Sequence, residues 1–240
     1  MSDIIKLLES VGKVQGFESG YVYKDTIVPR VTSIISKCTS NDRLMHWANN
    51  LGFKHKSFEK ERNSAANIGT LCHENIDAFL ESDKHKLPKT LPIEAKNAYL
   101  SFQKWFYDIF LLADINIVFH EKTLVCRYFG GTLDGLYNIN GKLYLVDYKT
   151  SNHISYNYCL QLAAYRYMLL NELNIKIDGC IILQLSKKSI EYTEYVLNFN
   201  DPKHLEFIDQ YERTFLSLVY SYYNIINMEE MYKNLNWEVK

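Results

Sequence analysis

The chain has 240 residues, 47% hydrophobic and 23% charged, with a formal net charge of -1. That length and apolar content suffice for a sizeable core in one domain, and the near-zero charge excludes the strong basic excess that steers many nucleic-acid binders to phosphate. Five cysteines, Cys38, Cys72, Cys126, Cys159 and Cys180, are odd in number, scattered and never in a CxxC arrangement, which speaks against a disulfide framework and a cysteine-ligated metal centre.

In chain order, the start MSDIIKLLES reads as a short helix without the basic start and long apolar stretch of an export signal, so a cytoplasmic protein is expected. No apolar run approaches the roughly 20 residues that span a bilayer. Tyr21 to Val28 alternates like a strand, and Pro29 ends it before a helix beginning near Thr32. Residues 41–82 read as helices broken around Gly52 and Gly69, Lys84 to Pro92 as a linker, and Ala95 to Leu112 as a long helix. From Ile115 the pattern turns to strands: Ile115 to Arg127, Thr132 to Ile139 and Lys142 to Lys149. A helix from about Ile154 to Leu173, strands around Cys180 to Leu185 and Tyr192 to Phe199, and a helix from Pro202 to about Ile226 complete the chain. The order predicts an α/β fold, a central mixed sheet flanked by helices, with the helix after Lys149 as a crossover.

Asn140-Gly141 between strand-like segments favours a two-residue type I′ turn, which sets the register of the strands it joins. Counting outward from Ile139 opposite Lys142 brings Asp134 opposite Asp147. Like charges so placed are destabilising unless neutralised, and a divalent cation would neutralise them. The period of two puts Lys149 on the Asp147 face with Leu136, Leu143 and Leu145, and Leu133, Tyr137, Tyr144 and Val146 on the other. By itself Asp147 with Lys149 reads as an ion pair at a strand end, and it is the second, registered carboxylate of Asp134 that points to a cation.

Two further segments bear on the site. Ile68-Gly69-Thr70-Leu71-Cys72-His73-Glu74 is expected to open a helix with Thr70 as N-cap and His73 in its first turn, at the rim of an apolar arc of Leu71, Cys72, Ile76, Phe79 and Leu80. His73 there suits either a hydrogen-bonded core-edge residue or a metal ligand. Gln161 and Tyr165 lie one turn apart on the helix after Lys149.

Together, GTLCHE with His73, GGTLDG with Asp134, VDYKTS with Asp147 and Lys149, and QLAAY with Gln161 and Tyr165 resemble the RecB-like branch of the PD-(D/E)XK nuclease superfamily over residues 68–165. Val28-Pro29-Arg30-Val31-Thr32-Ser33-Ile34-Ile35 is similar to a segment of phage exonuclease-like members and mitochondrial genome-maintenance exonucleases, with Arg30 where those have Ser. The resemblance implies a restriction-endonuclease-like core in one nuclease domain over 1–240. Its mainly helical part, 1–112, carries His73, and 113–240 forms the α/β catalytic core. It implies one or two Mg²⁺ or Mn²⁺ ions held by His73, Asp134, Asp147 and the Tyr148 carbonyl. Lys149 would position or deprotonate water, and Gln161 and Tyr165 would orient these groups or touch substrate. Thr150 and Ser151 are expected to cap the next helix and meet phosphate, and Glu121 to be structural. No iron-sulfur cluster is expected, since only Cys180 lies beyond the QxxxY helix. The implied activity is a DNA exonuclease of replication, recombination or repair. Alternatives are a catalytically silent DNA-binding module of the same fold, or a structure-specific endonuclease. Trp47, Phe53, Phe58, Trp105 and Tyr107 suit either core packing or stacking on unpaired bases. Basic clusters at Lys54-His55-Lys56 with Lys60 and Arg62, at Lys84 to Lys89 and at Lys187-Lys188 form a track only if the fold gathers them.

Overall fold

A computed structural model describes residues 6–9, 19–40, 42–81 and 91–235; the expected linker and the Lys84 to Lys89 cluster fall largely outside them. The first strands are β1 (Tyr21–Tyr23) and β2 (Thr26–Val28), followed by α1 (Val31–Cys38), α2 (Asp42–Phe53), α3 (Phe58–Leu80) and α4 (Ile93–Leu112). Then come β3 (Ile115–Val125), β4 (Gly130–Ile139), β5 (Lys142–Lys149), α5 (Tyr156–Leu173), β6 (Gly179–Leu185), β7 (Tyr192–Asn198) and α6 (Pro202–Asn234).

Strands β3 to β7 form a five-stranded mixed sheet in sequence order, antiparallel except where β5 pairs with β6. A parallel pair needs a crossover, which α5 supplies. Core residues alternate between two helical layers. Leu136, Leu145, Cys180 and Ile182 pack with α1, α5 and α6, whereas Tyr137, Val146, Ile181 and Leu183 pack with α3 and α4. Burial on both faces explains why these central strands read as nearly continuous apolar runs.

Asn140 (φ 53°) and Gly141 (φ 79°) adopt the left-handed conformations of a type I′ turn, and the register runs from Ile139 opposite Lys142 to Gly135 opposite Val146. It goes no further: Asp134 opposite Asp147 is not part of the ladder. Beyond that point the alternation of β4 slips. Leu133, expected among the Tyr137 face, joins Leu136 in the core under α5, and Asp134 reaches the α3 side.

Tyr21 to Val28 is a hairpin rather than one strand, turning at Lys24 (φ 43°) and Asp25 (φ 65°). Lys-Asp lacks the usual turn signature, so alternation on both sides of it concealed the break. Nor does Gly69 break a helix: α3 runs unbroken, capped by Ser57 Oγ accepting from Lys60 N-H at 3.4 Å. A glycine there costs about 1 kcal/mol against alanine, which burial of Cys72 and Ile76 against the sheet outweighs. Helix α6 extends to Asn234, two turns past its expected end.

Candidate metal centre and its lysine

Because α3 is continuous, His73 sits mid-helix, and Thr70 is not an N-cap; its hydroxyl donates back to Ala66 O at 3.2 Å. Position and helix phase, rather than a terminus, aim the imidazole at the end of β5. His73 Nε2 lies 3.2 Å from the Tyr148 carbonyl oxygen, to which it donates, and Nδ1 lies 3.5 Å from Asp134 Oδ1 and 3.6 Å from Glu121 Oε1. One ligand atom each from His73, Glu121 and Asp134 falls within a 4.8 Å span. Burial disfavours the imidazolium, but Asp134 and Glu121 outweigh burial and the Lys149 charge, raising the His73 pKa to about 9.

Glu121 was expected to be structural, too far from Asp134 for a shared metal. The fold places it at the centre instead. The four-residue connection 126–129, closed by Cys126 N-H donating to Phe129 O at 2.9 Å, pairs Val125 with Gly130. Counting back puts Glu121 between the pairs His120–Gly135 and Lys122–Leu133, opposite Asp134. Glu121 has φ 43°, a left-handed backbone inside a strand, and such strain in a non-glycine residue persists where the surroundings hold it. The register also slips between Ile117 and Phe119, a bulge that bends the strand. No Asn-Gly or similar signal marks the 126–129 connection, so the pairing was not countable from sequence.

Asp134 does two things. Its Oδ2 accepts from Tyr148 N-H at 2.7 Å, taking the place of a main-chain partner where the two strands separate, and its Oδ1 faces His73. Asp147, 1% exposed, pairs with Ile182 on the face of the sheet that packs under α5, close enough to His73 and Asp134 for their charges to act on it. Lys149 Nζ donates to Asp147 Oδ1 at 2.8 Å and to Gln161 Oε1 at 3.3 Å, and Gln161 Nε2 donates to Tyr165 Oη at 3.2 Å. The Tyr158 ring covers the ammonium at 4.8 Å, a desolvated cation-π contact. Asp147 Oδ2 lies 2.7 Å from the same nitrogen, so the ammonium faces both carboxylate oxygens. Burial pushes the Asp147 carboxyl up to about 6 despite the Lys149 charge beside it. Burial also opposes the Lys149 ammonium, but Asp147 and Asp134 prevail and hold its pKa above the ordinary lysine value.

Gly131 makes this chain of contacts possible: a Cβ there would stand 2.6 Å from Tyr165 Cε1. Thr150 and Ser151 do not cap α5. Ser155 does, its Oγ accepting from Asn157 N-H at 3.3 Å, because the chain needs residues 150–154 to clear the sheet before the helix starts. Thr150 Oγ1 instead lies against Gly69 of α3, and Ser151 Oγ donates to His153 O at 3.0 Å. Among the aromatics, Trp105 is core, Phe53 and Tyr107 are 78% and 51% exposed, and Trp47 and Phe58 pack edge to face at 5.3 Å.

No protein-family model and no curated protein matches this chain. The solved structure of SSO0001 superposes on 86% of this chain and 83% of its own, with 14% identity and a TM-score of 0.36, an overlap too low to bear on fold family or function. Among the described residues no helix is long and apolar enough to cross a membrane.

Proposed function

We propose that this chain is a metal-dependent deoxyribonuclease with the PD-(D/E)XK core of the RecB-like branch, an exonuclease hydrolysing phosphodiester bonds from single-stranded DNA ends in replication, recombination or repair. The observation that carries the reading is the meeting of His73, Glu121 and Asp134 beside a buried Asp147–Lys149 pair braced by Gln161 and Tyr165. Three of these side chains project from one helix and two strands, His73 from α3, Glu121 from β3 and Asp134 from β4.

The donor set fits a hard divalent cation. An imidazole, two carboxylates and the Tyr148 carbonyl are ligand types that Mg²⁺ and Mn²⁺ accept, the imidazole favouring Mn²⁺, and the Asp147 carboxylate is a further ligand of the same kind. When bound, such an ion supplies positive charge to the scissile phosphate and the leaving 3′ oxygen. The ammonium of Lys149 donates to the attacking water and to phosphoryl oxygens as negative charge builds on them. Lys149 positions the attacking water or, with its pKa lowered by a cation bound beside it, deprotonates it. Gln161 fixes the lysine from the far side, and Tyr165 fixes Gln161, so both act by positioning. The expected products carry a 5′-phosphate and a 3′-hydroxyl.

The test is digestion of end-labelled linear and closed circular single-stranded DNA with Mg²⁺ or Mn²⁺, beside an EDTA control and the Asp147→Ala protein. Metal-dependent loss of the linear strand alone, absent in the variant, is the expected result and reveals polarity. Cutting of the circle makes the protein an endonuclease, and no cleavage under either metal refutes the catalytic reading in favour of a silent DNA-binding module.

A further inference from the structure

A cleft of about 820 Å³ opens between α2 and the loop that leaves β5, within the range of about 300–1,000 Å³ of ligand pockets. Trp47, His46 and Asn50 line it from α2, and Asn152, Asn157 and Tyr158 from the opposite wall. None of the described lining residues is an acid, a lysine or an arginine. The surface therefore offers rings and neutral amides, which suit a flat heteroaromatic group bearing N-H donors and give a phosphate or a carboxylate no countercharge.

Two observations tie the cleft to a ligand and to the reacting centre. Asn157 Oδ1 is buried without a hydrogen-bond donor, a cost that an incoming N-H would remove. Tyr158 lines the cleft with the same ring that covers the Lys149 ammonium, so whatever enters stands one aromatic ring away from the site. Across the shared Ser151-Asn152-His153 loop lies a second cleft, of about 520 Å³, which does carry cations, Lys187 and Lys188, together with Glu191. The two sides of the loop thus separate surfaces suited to bases from surfaces suited to backbone phosphate.

We infer that the cleft between α2 and the β5–α5 loop receives an unpaired nucleobase of the substrate strand, stacked on Trp47 or Tyr158 and donating an edge N-H to Asn157 Oδ1. The inference rests on the nuclease reading for its substrate and adds the reason for single-strand selectivity: a base held in a duplex is already stacked and paired and does not enter a side cleft.

Binding in EDTA separates this site from catalysis. Fluorescence anisotropy with labelled oligo(dT) and with an abasic strand of equal length is measured for wild type, Trp47→Ala and Trp47→Phe. Trp47→Ala should weaken oligo(dT) binding by roughly 5- to 150-fold, the usual effect of losing one stacking platform. Trp47→Phe should retain most of the affinity, and the abasic strand should bind wild type and Trp47→Ala alike. Should the alanine variant not fold, wild-type tryptophan emission decides: oligo(dT) should quench it, the abasic strand should not, and Trp47→Phe should lose the quench while keeping the binding. Equal oligo(dT) affinity in Trp47→Ala, an equal loss with the abasic strand, no quench, or no binding of either strand by wild type would each overturn the inference. Trp47-dependent binding without metal-dependent cleavage would leave the base site standing and remove the nuclease reading alone.

Discussion

Replacing Lys149 by Met removes the cation from an ion pair whose side chains are 16% and 2% exposed and whose atoms approach to 2.7 Å. At an effective dielectric of about 20, two charges about 4 Å apart attract by about 4 kcal/mol. Each has already lost several kcal/mol of hydration, so the pair as a unit is close to neutral for stability. Losing one member is not. Lys149→Met should cost about 3–5 kcal/mol, because Asp147 then stays buried as an unpaired charge or must take a proton. The protonation route fixes the pH dependence. Burial already holds the Asp147 pKa above its unfolded value, near 6, and loss of the ammonium raises it further. A folded pKa above the unfolded one means stability falls as pH rises from the unfolded to the folded value. The variant should therefore be less impaired at about pH 5 than at about pH 8. Asp147→Asn with Lys149→Met, being apolar or neutral throughout, should recover about 2–4 kcal/mol relative to the sum of the singles. Urea denaturation in EDTA of wild type, both single variants and the double variant gives the cycle. Additivity within about 0.5 kcal/mol, or a Lys149→Met penalty independent of pH, would refute the argument that burial couples these groups.

Four further outcomes follow from the same geometry. With the His73 pKa raised to about 9 from the ordinary histidine value, the stability from its contacts with Asp134 and Glu121 is fully present below about pH 6.5 and lost as pH rises through about 9, at most about 3 kcal/mol. Thermal melts in EDTA across that range should show the decline in wild type and not in His73→Ala. Divalent-ion affinity should rise over the same interval, because ligation needs the neutral imidazole, and a pH-independent Mn²⁺ titration would contradict this. Glu121→Gln should weaken Mn²⁺ binding by about 10- to 100-fold with little loss of stability; unchanged calorimetric affinity would return Glu121 to a structural role. Gly131→Ala drives a methyl into the Tyr165 ring, 2.6 Å from Cε1, and should cost about 1–3 kcal/mol. A melting temperature equal to wild type would show that Tyr165 is free to move.

The sequence by itself determined what depends on nearest neighbours and on period. Asn140-Gly141 dictates its own turn conformation and hence the pairing of the next five residues on each side, and two-sided apolar runs declare the central strands. The order of elements, with a helix between the parallel pair, followed from the same signals. What sequence left open depends on contacts remote along the chain. Asp134 was countable to a position opposite Asp147, but once the ladder ends no local rule holds its side chain to one face. Its partners, Tyr148 N-H and His73, were chosen by where β5 and α3 pass. Glu121 became a member of the cluster through a connection without a turn signature and a strained strand residue, both stabilised only by the packed sheet. His73 reads as a helix-start residue because Gly69-Thr70 looks like a boundary, and only burial of α3 against the sheet carries the helix through it. His73, Asp134, Asp147, Lys149, Gln161 and Tyr165 could be singled out as candidates from the sequence, and Glu121 could not; which of them meet, His73 with Glu121 and Asp134 and Asp147 with Lys149, Gln161 and Tyr165, was decided by tertiary packing, since side-chain direction at a strand end is set by what lies across it.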